Sequence, residues 1–304
     1  MRRVLIYILA LIMPLVASAQ VLPFVSADYS AVSIAKAGTD ATETSSVALS
    51  ALGNVAAVPF SGKSADFAVG YTLWQPSYLV SNVITAGGAY NLDGKFGFSL
   101  GMTYGSWSEY DMFSETGVGK GTFSPSDIQV RAGASWRFLP FLSAGVSLGY
   151  ASSSLAEDVA YGAFVSDVFL MSKLADCKVS LGVANLGSAV VSASGDRFSL
   201  PSSMVLGVGY DKLLADTHNV EFAVDMDYYF DGALAASACA EYSYKDIFSV
   251  CTGYRYGGSS LLPSYLSVGA GAGFYGVRLD VAYVIPVSDS PLSNTLSLQL
   301  GYSF

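Results

Sequence analysis

Two serines lie at the centre of G-x-S-x-G strings, Gly97-Phe98-Ser99-Leu100-Gly101 and Gly145-Val146-Ser147-Leu148-Gly149, the spacing of a hydrolase nucleophile elbow. That chemistry needs a strand-to-helix turn and a positioned base. Both strings instead fall inside stretches where apolar and small residues alternate, and the one histidine, His218, sits at a predicted turn. They therefore read as strand interior. Gly271-Ala272-Gly273-Phe274-Tyr275-Gly276 matches G-x-G-x-x-G but opens no helix, so a dinucleotide site fails on the same ground. No Cys/His cluster has metal-ligand spacing. The expectation is a protein that is not an enzyme and carries no cofactor.

The remaining chemistry is charge and sulfur. Glu221, Asp225, Asp227 and Glu241 fall on the small-residue face of neighbouring predicted strands, and Arg131, Arg137, Arg255 and Arg278 occupy equivalent faces. Paired carboxylates could do acid–base work. In a confined interior such charges more often solvate the space or pin a segment by ion pairs, because an unpaired charge there is costly. Asp225 or Asp227 is thus expected to meet an inward arginine or the backbone of a packed segment. Cys239 and Cys251 face inward on adjacent strands and their indices centre on Lys245. That register would put them opposite each other at the roughly 5.5 Å a disulfide tolerates. A register change of one residue would separate them. Cys177 reads as a lone outward residue at a strand start.

The elements that carry these residues have a period of two. Leu296, Leu298, Leu300, Tyr302 and Phe304 alternate with Ser297, Gln299, Gly301 and Ser303, and the same pattern recurs at 142–150 and 220–228. A soluble sandwich also alternates, but its outward face is rich in Lys and Glu. Here the second face is Gly, Ser and Ala. About fourteen such runs can be counted, near 64–74, 82–92, 95–108, 125–138, 141–153, 159–173, 177–186, 202–212, 218–230, 235–244, 247–257, 264–274, 277–287 and 294–304. An even number is what bacterial single-chain barrels show.

Composition restricts the setting. The chain has 304 residues, 52% hydrophobic and only 13% charged, with a formal charge of −9, whereas a soluble domain carries about 25% charged residues. An acidic chain without a basic patch offers nothing to nucleic acid. Arg2 and Arg3, an apolar run and Ala17-Ser18-Ala19 read as a signal peptide over 1–19. Beyond it no stretch reaches the roughly 18 apolar residues of a membrane helix. A hydrophobic exported chain can then enter a bilayer only as a closed barrel, which leaves no strand edge unpaired.

The predicted architecture is all-β: a transmembrane antiparallel up-and-down β-barrel of about fourteen strands over 63–304, preceded by an N-terminal periplasmic or plug-like segment over 20–62. If residue 64 enters from the periplasm, the long connections 109–125 and 187–201 lie outside and the tight turns inside. Aromatic residues at strand ends, Tyr71, Tyr90, Trp136 and Tyr302 among them, suit interfacial girdles. The inward faces are small, with Gly97, Gly101 and Gly105 on one strand and Gly269, Gly271 and Gly273 on another. That leaves room for the non-alternating residues 31–60 to fold into the lumen.

Three stretches resemble the PorV/PorQ family of Bacteroidetes outer-membrane proteins, related in architecture to FadL-type transporters. The first is Asp28-Tyr29-Ser30-Ala31 with Ala37-Gly38, Ala41-Thr42 and Asn54-Val55-Ala56-Ala57. It departs from the family pattern at Ser30 and Val55, where Arg and Pro are usual. The second is Val183-Ala184-Asn185-Leu186-Gly187 with Leu200-Pro201, preceded by Asp167. The third is Leu279-Asp280-Val281-Ala282-Tyr283 with the ending at Phe304. The resemblance implies a fourteen-stranded outer-membrane barrel with a role in type IX secretion, engaging secreted protein cargo or secretion-complex subunits through its external loops. The alternative is a FadL-like channel for small hydrophobic molecules, favoured by the small inward residues. Outer-membrane lipid is the partner under either reading.

Overall fold

The computed structural model describes residues 22–304 except Tyr29, 75–80, Glu115, Asp158, 192–196, Asp216, Asp246, 258–262 and 288–291. The expected signal peptide lies outside the described residues.

Fourteen antiparallel strands close into a barrel. In chain order they are β1 (Ala65–Trp74), β2 (Ser81–Leu92), β3 (Phe96–Trp107), β6 (Ser126–Leu139), β7 (Leu142–Ala156), β8 (Val159–Leu174), β9 (Cys177–Gly187), β12 (Ser203–Leu214), β13 (His218–Tyr229), β14 (Leu234–Tyr244), β15 (Phe248–Gly257), β16 (Tyr265–Phe274), β17 (Val277–Pro286) and β18 (Leu296–Ser303). Each pairs with the next in this order, and β18 returns to β1. Two small hairpins, β4 (Tyr110–Phe113) with β5 (Gly119–Phe123) and β10 (Val190–Val191) with β11 (Arg197–Phe198), stand on the two longest connections. Those connections share one end of the barrel. The other end has tight turns such as Tyr275-Gly276, both at positive φ (48° and 82°), which lets a two-residue loop match the strand twist.

Alternation decides which side each residue faces. On β18, Leu300 is 56% exposed and its neighbour Gln299 is 2% exposed. The outward aromatic residues named above all lie on the exposed face. An apolar exterior on a closed sheet is the surface a bilayer requires. Among the described residues no helix is long and apolar enough to cross a membrane.

Residues 22–60, Tyr29 aside, run inside the cylinder. Leu22, Phe24 and Val25 pack on Val83, Ala151, Ala163 and Leu200 towards the long-loop end. An α-helix, α1 (Ala31–Ala35), lies on Ala282 and Val284 of β17. A 3-10 turn, Val55–Phe60, meets Ala89, Phe169 and Met171. Small inward residues make this possible. A Cβ on Gly145 would stand 2.7 Å from the Ala56 backbone nitrogen, and one on Gly253 2.6 Å from the Lys36 carbonyl carbon. Any side chain at either position would push the luminal backbone away.

Candidate functional site

The luminal segment is tied by its own polar residues first. Ser30 caps α1 and also donates through Oγ to Gln299 Oε1 at 2.9 Å. Asn54 accepts from the Ala56 amide at 2.9 Å. It also donates to the Ala41 carbonyl at 2.7 Å and to Ser180 Oγ on β9 at 2.9 Å. One amide thus joins two luminal turns to the wall. Asp66 of β1 accepts from the Val47 and Ala48 amides at 2.8 and 3.2 Å.

Deeper in the lumen, Glu221 of β13 and Glu241 of β14 stand directly opposite each other in the sheet register. Like charges so placed repel. Lys36, 1% exposed, lies between them, with Nζ 2.8 Å from Glu221, 3.0 Å from Glu241 and 2.5 Å from Glu43 of its own segment. Lys178 of β9 takes the second Glu221 oxygen at 2.8 Å. Burial opposes the Lys36 charge, but Glu43, Glu221 and Glu241 outweigh it and hold its ammonium well above the usual lysine range. Burial likewise works against the Glu43 carboxylate, and Lys36 and Lys178 more than offset it, so Glu43 lies below the usual range. The wall here is electrostatically complete only with the luminal lysine in place.

A second network sits in the wall. On β9, Ala184 and Asn185 together oppose Asp167 of β8, a bulge with Asn185 at φ 58°. Asp167 accepts from the Asn185 amide at 2.7 Å, from Ser147 Oγ at 2.7 Å and from Arg131 Nη1 at 2.7 Å. Arg131, 1% exposed, further donates to Asn185 Oδ1 at 2.8 Å and to the Val25 carbonyl at 3.2 Å. The bulge is therefore held by a fully engaged ion pair.

The other inward charges find partners close by. Arg255 pairs with Asp227 at 3.0 Å, Arg278 with Asp280 at 2.7 Å, and Asp225 accepts from the Ala41 amide at 2.8 Å. Arg137 donates to the Pro59 carbonyl at 3.5 Å and stacks on Phe60. None of these carboxylates is set against a nucleophile and base. Ser99 accepts from the Ala51 amide at 3.0 Å, and Ser147 is bound to Asp167. His218 lies apart from both, with Nδ1 2.6 Å from the Tyr242 hydroxyl.

The cysteine expectation needs correction. Cys239 faces Gly253 and Cys251 faces Glu241, and both thiols are free. Tyr244 pairs with Phe248, so the turn centres on residue 246 rather than on Lys245. Moving the centre by one residue moves each cross-strand partner by two.

Sequence reasoning did not single out Lys36, Glu43, Asp40 or Lys178. Lys178 was legible as a lone lysine on the small-residue face of β9. Lys36 and its neighbours had no such signal, because a segment buried on all sides has no alternation.

Between the luminal segment and the wall lie two adjoining cavities, of about 80 and 90 Å³. They share Val25, Ala27, Asp28, Asp40, Leu52 and Gly53. Burial raises the Asp28 carboxyl above its usual range despite Arg255 nearby. It raises Asp40 further, with Asp28 and Asp225 adding to the effect.

No family model matches the chain, and no curated protein matches it. The PorV/PorQ resemblance gains no support there. Solved structures do match. The toluene transporter TodX of Pseudomonas putida aligns with a TM-score of 0.65 at 14% identity, over 91% of this chain and 98% of that one. The CymD monoaromatic hydrocarbon channel gives 0.64 at 13%, over 91% and 97%. A Pseudomonas aeruginosa FadL homologue gives 0.53 at 11%, over 90% and 98%. At such identities the likeness is one of fold, and by its fold this chain is a fourteen-stranded barrel of the FadL type.

Proposed function

We propose that the protein is an outer-membrane channel for small hydrophobic molecules. The supporting observation is the fold shared with hydrocarbon channels over nearly the whole of both chains. The apolar exterior suits outer-membrane lipid, and the filled lumen suits a protein that passes selected solutes rather than water and ions freely. The secretion-associated reading rests on the short sequence resemblances alone.

The test is hydrocarbon uptake. Cells lacking the protein should take up toluene more slowly than cells carrying it, with an unchanged profile of exported proteins. Normal uptake combined with missing exported proteins would overturn the channel reading and restore secretion.

A further inference from the structure

The two luminal cavities are unlike a hydrocarbon passage in one respect. Asp28, Asp40, Asp167, Asp225 and Asp227 line one of the two, against Arg131 and Arg255. Arg131 is paired with Asp167 and Arg255 with Asp227. Arg255 also faces Asp28, but its charge is already engaged. Three carboxylates, those of Asp28, Asp40 and Asp225, have no ion-pair partner of their own among the described residues. A buried charge without a counter-charge is costly enough that a site retaining several is expected to take up either protons or a cation.

Two further atoms point to a ligand. Asp225 is 2% exposed, and while one oxygen accepts from Ala41, its Oδ1 has no hydrogen-bond partner among the described residues. Thr85 of β2, also 2% exposed and lining the other cavity, has an Oγ1 without a partner among the described residues. Buried polar atoms are nearly always satisfied, so each unsatisfied one calls for an explanation. Asp28 and Asp40 keep part of their surface open to the cavities. Among the described residues no His, Cys, Asp or Glu group is spaced to hold a metal ion. The rest of the lining includes Val25, Val32 and Leu52, which offer apolar contact beside the carboxylates.

We propose that the luminal cavities bind a small organic cation, a protonated amine on a short apolar body, with Asp28, Asp40 and Asp225 as its counter-charges. This rests on the channel reading and narrows its solute class. The ammonium donates to the free oxygens, and the apolar body lies against Val25, Val32 and Leu52.

Benzylamine and toluene separate the two ideas, since they share a ring and differ in the ammonium. In titration calorimetry of the full chain in a neutral detergent, benzylamine should bind saturably and toluene should fail to displace it. Asp225→Asn keeps an oxygen for the Ala41 amide while deleting the charge, and Asp40→Asn keeps one for Ser33. Each should weaken benzylamine tenfold or more, and Asp176→Asn at an exposed turn should not. Heat-modified gel migration checks that every variant is folded. The proposal is overturned if benzylamine does not bind, if both Asn variants bind it as tightly as the native chain, or if toluene or calcium chloride displaces it at equal concentration. Toluene uptake by cells judges the channel reading separately. Uptake without benzylamine binding sinks only this proposal, and benzylamine binding without any dependence of uptake on the protein sinks only the channel.

Discussion

Asp167 shows how much one side chain holds at the residue scale. It closes a wall bulge through the Asn185 amide and balances Arg131, a guanidinium with 1% exposure. Asp167→Asn keeps an acceptor for that amide but strands the arginine charge. Removing one partner of a buried ion pair costs about 3–5 kcal/mol, which urea unfolding in detergent should read. Adding Arg131→Met to the same chain should recover part of the loss, because no unpaired charge then remains. Cys239 and Cys251 give a second outcome at this scale. Electrophoretic mobility should be the same with and without reductant, and both thiols should label after unfolding, since the register sets each opposite a different residue.

At the scale of elements, the luminal segment is held by charge more than by its short helix. Lys36→Met should leave Glu43 and Glu241 without their cation and Glu221, opposite Glu241 across β13 and β14, with Lys178 alone. The expected result is protease cleavage within 22–60 of folded barrels that are resistant in the native form. Acidity acts on the same segment in two directions. Glu43 is held below its ordinary value of 4.5, so its contribution is complete above that value and is lost as pH falls through the depressed one. Asp28 and Asp40 are raised above 3.8, so their contribution is present at low pH and is lost as pH rises through the raised values. Protease protection should therefore pass through a maximum with pH. Glu43→Gln should flatten the acid limb and Asp40→Asn the alkaline one. A profile unchanged by either variant would contradict these assignments.

For the whole molecule, removal of residues 22–60 should leave a barrel that still inserts but conducts ions in planar bilayers more strongly than the native chain, because the inward glycines no longer have a backbone to receive. The barrel itself was legible in the sequence. A wall between lipid and lumen imposes opposite demands on successive residues, so Leu298, Leu300 and Tyr302 against Ser297 and Gln299 announce a strand without reference to anything distant. Strand number, facing and the tight-turn end follow from that local rule. The luminal segment was visible only as a place where the rule stopped, since a chain packed on every side needs no periodicity. Which charges meet was not legible either. Glu221 and Glu241 become neighbours through register, and Lys36 reaches them from another part of the chain. Parity along the chain is enough to specify a closed two-faced sheet, because facing depends on nothing else. The ion pairs, the parted cysteines and the acidic cavity emerge from the folded barrel instead, because each depends on a register or an approach between residues distant along the chain, and a shift of one residue changes every partner.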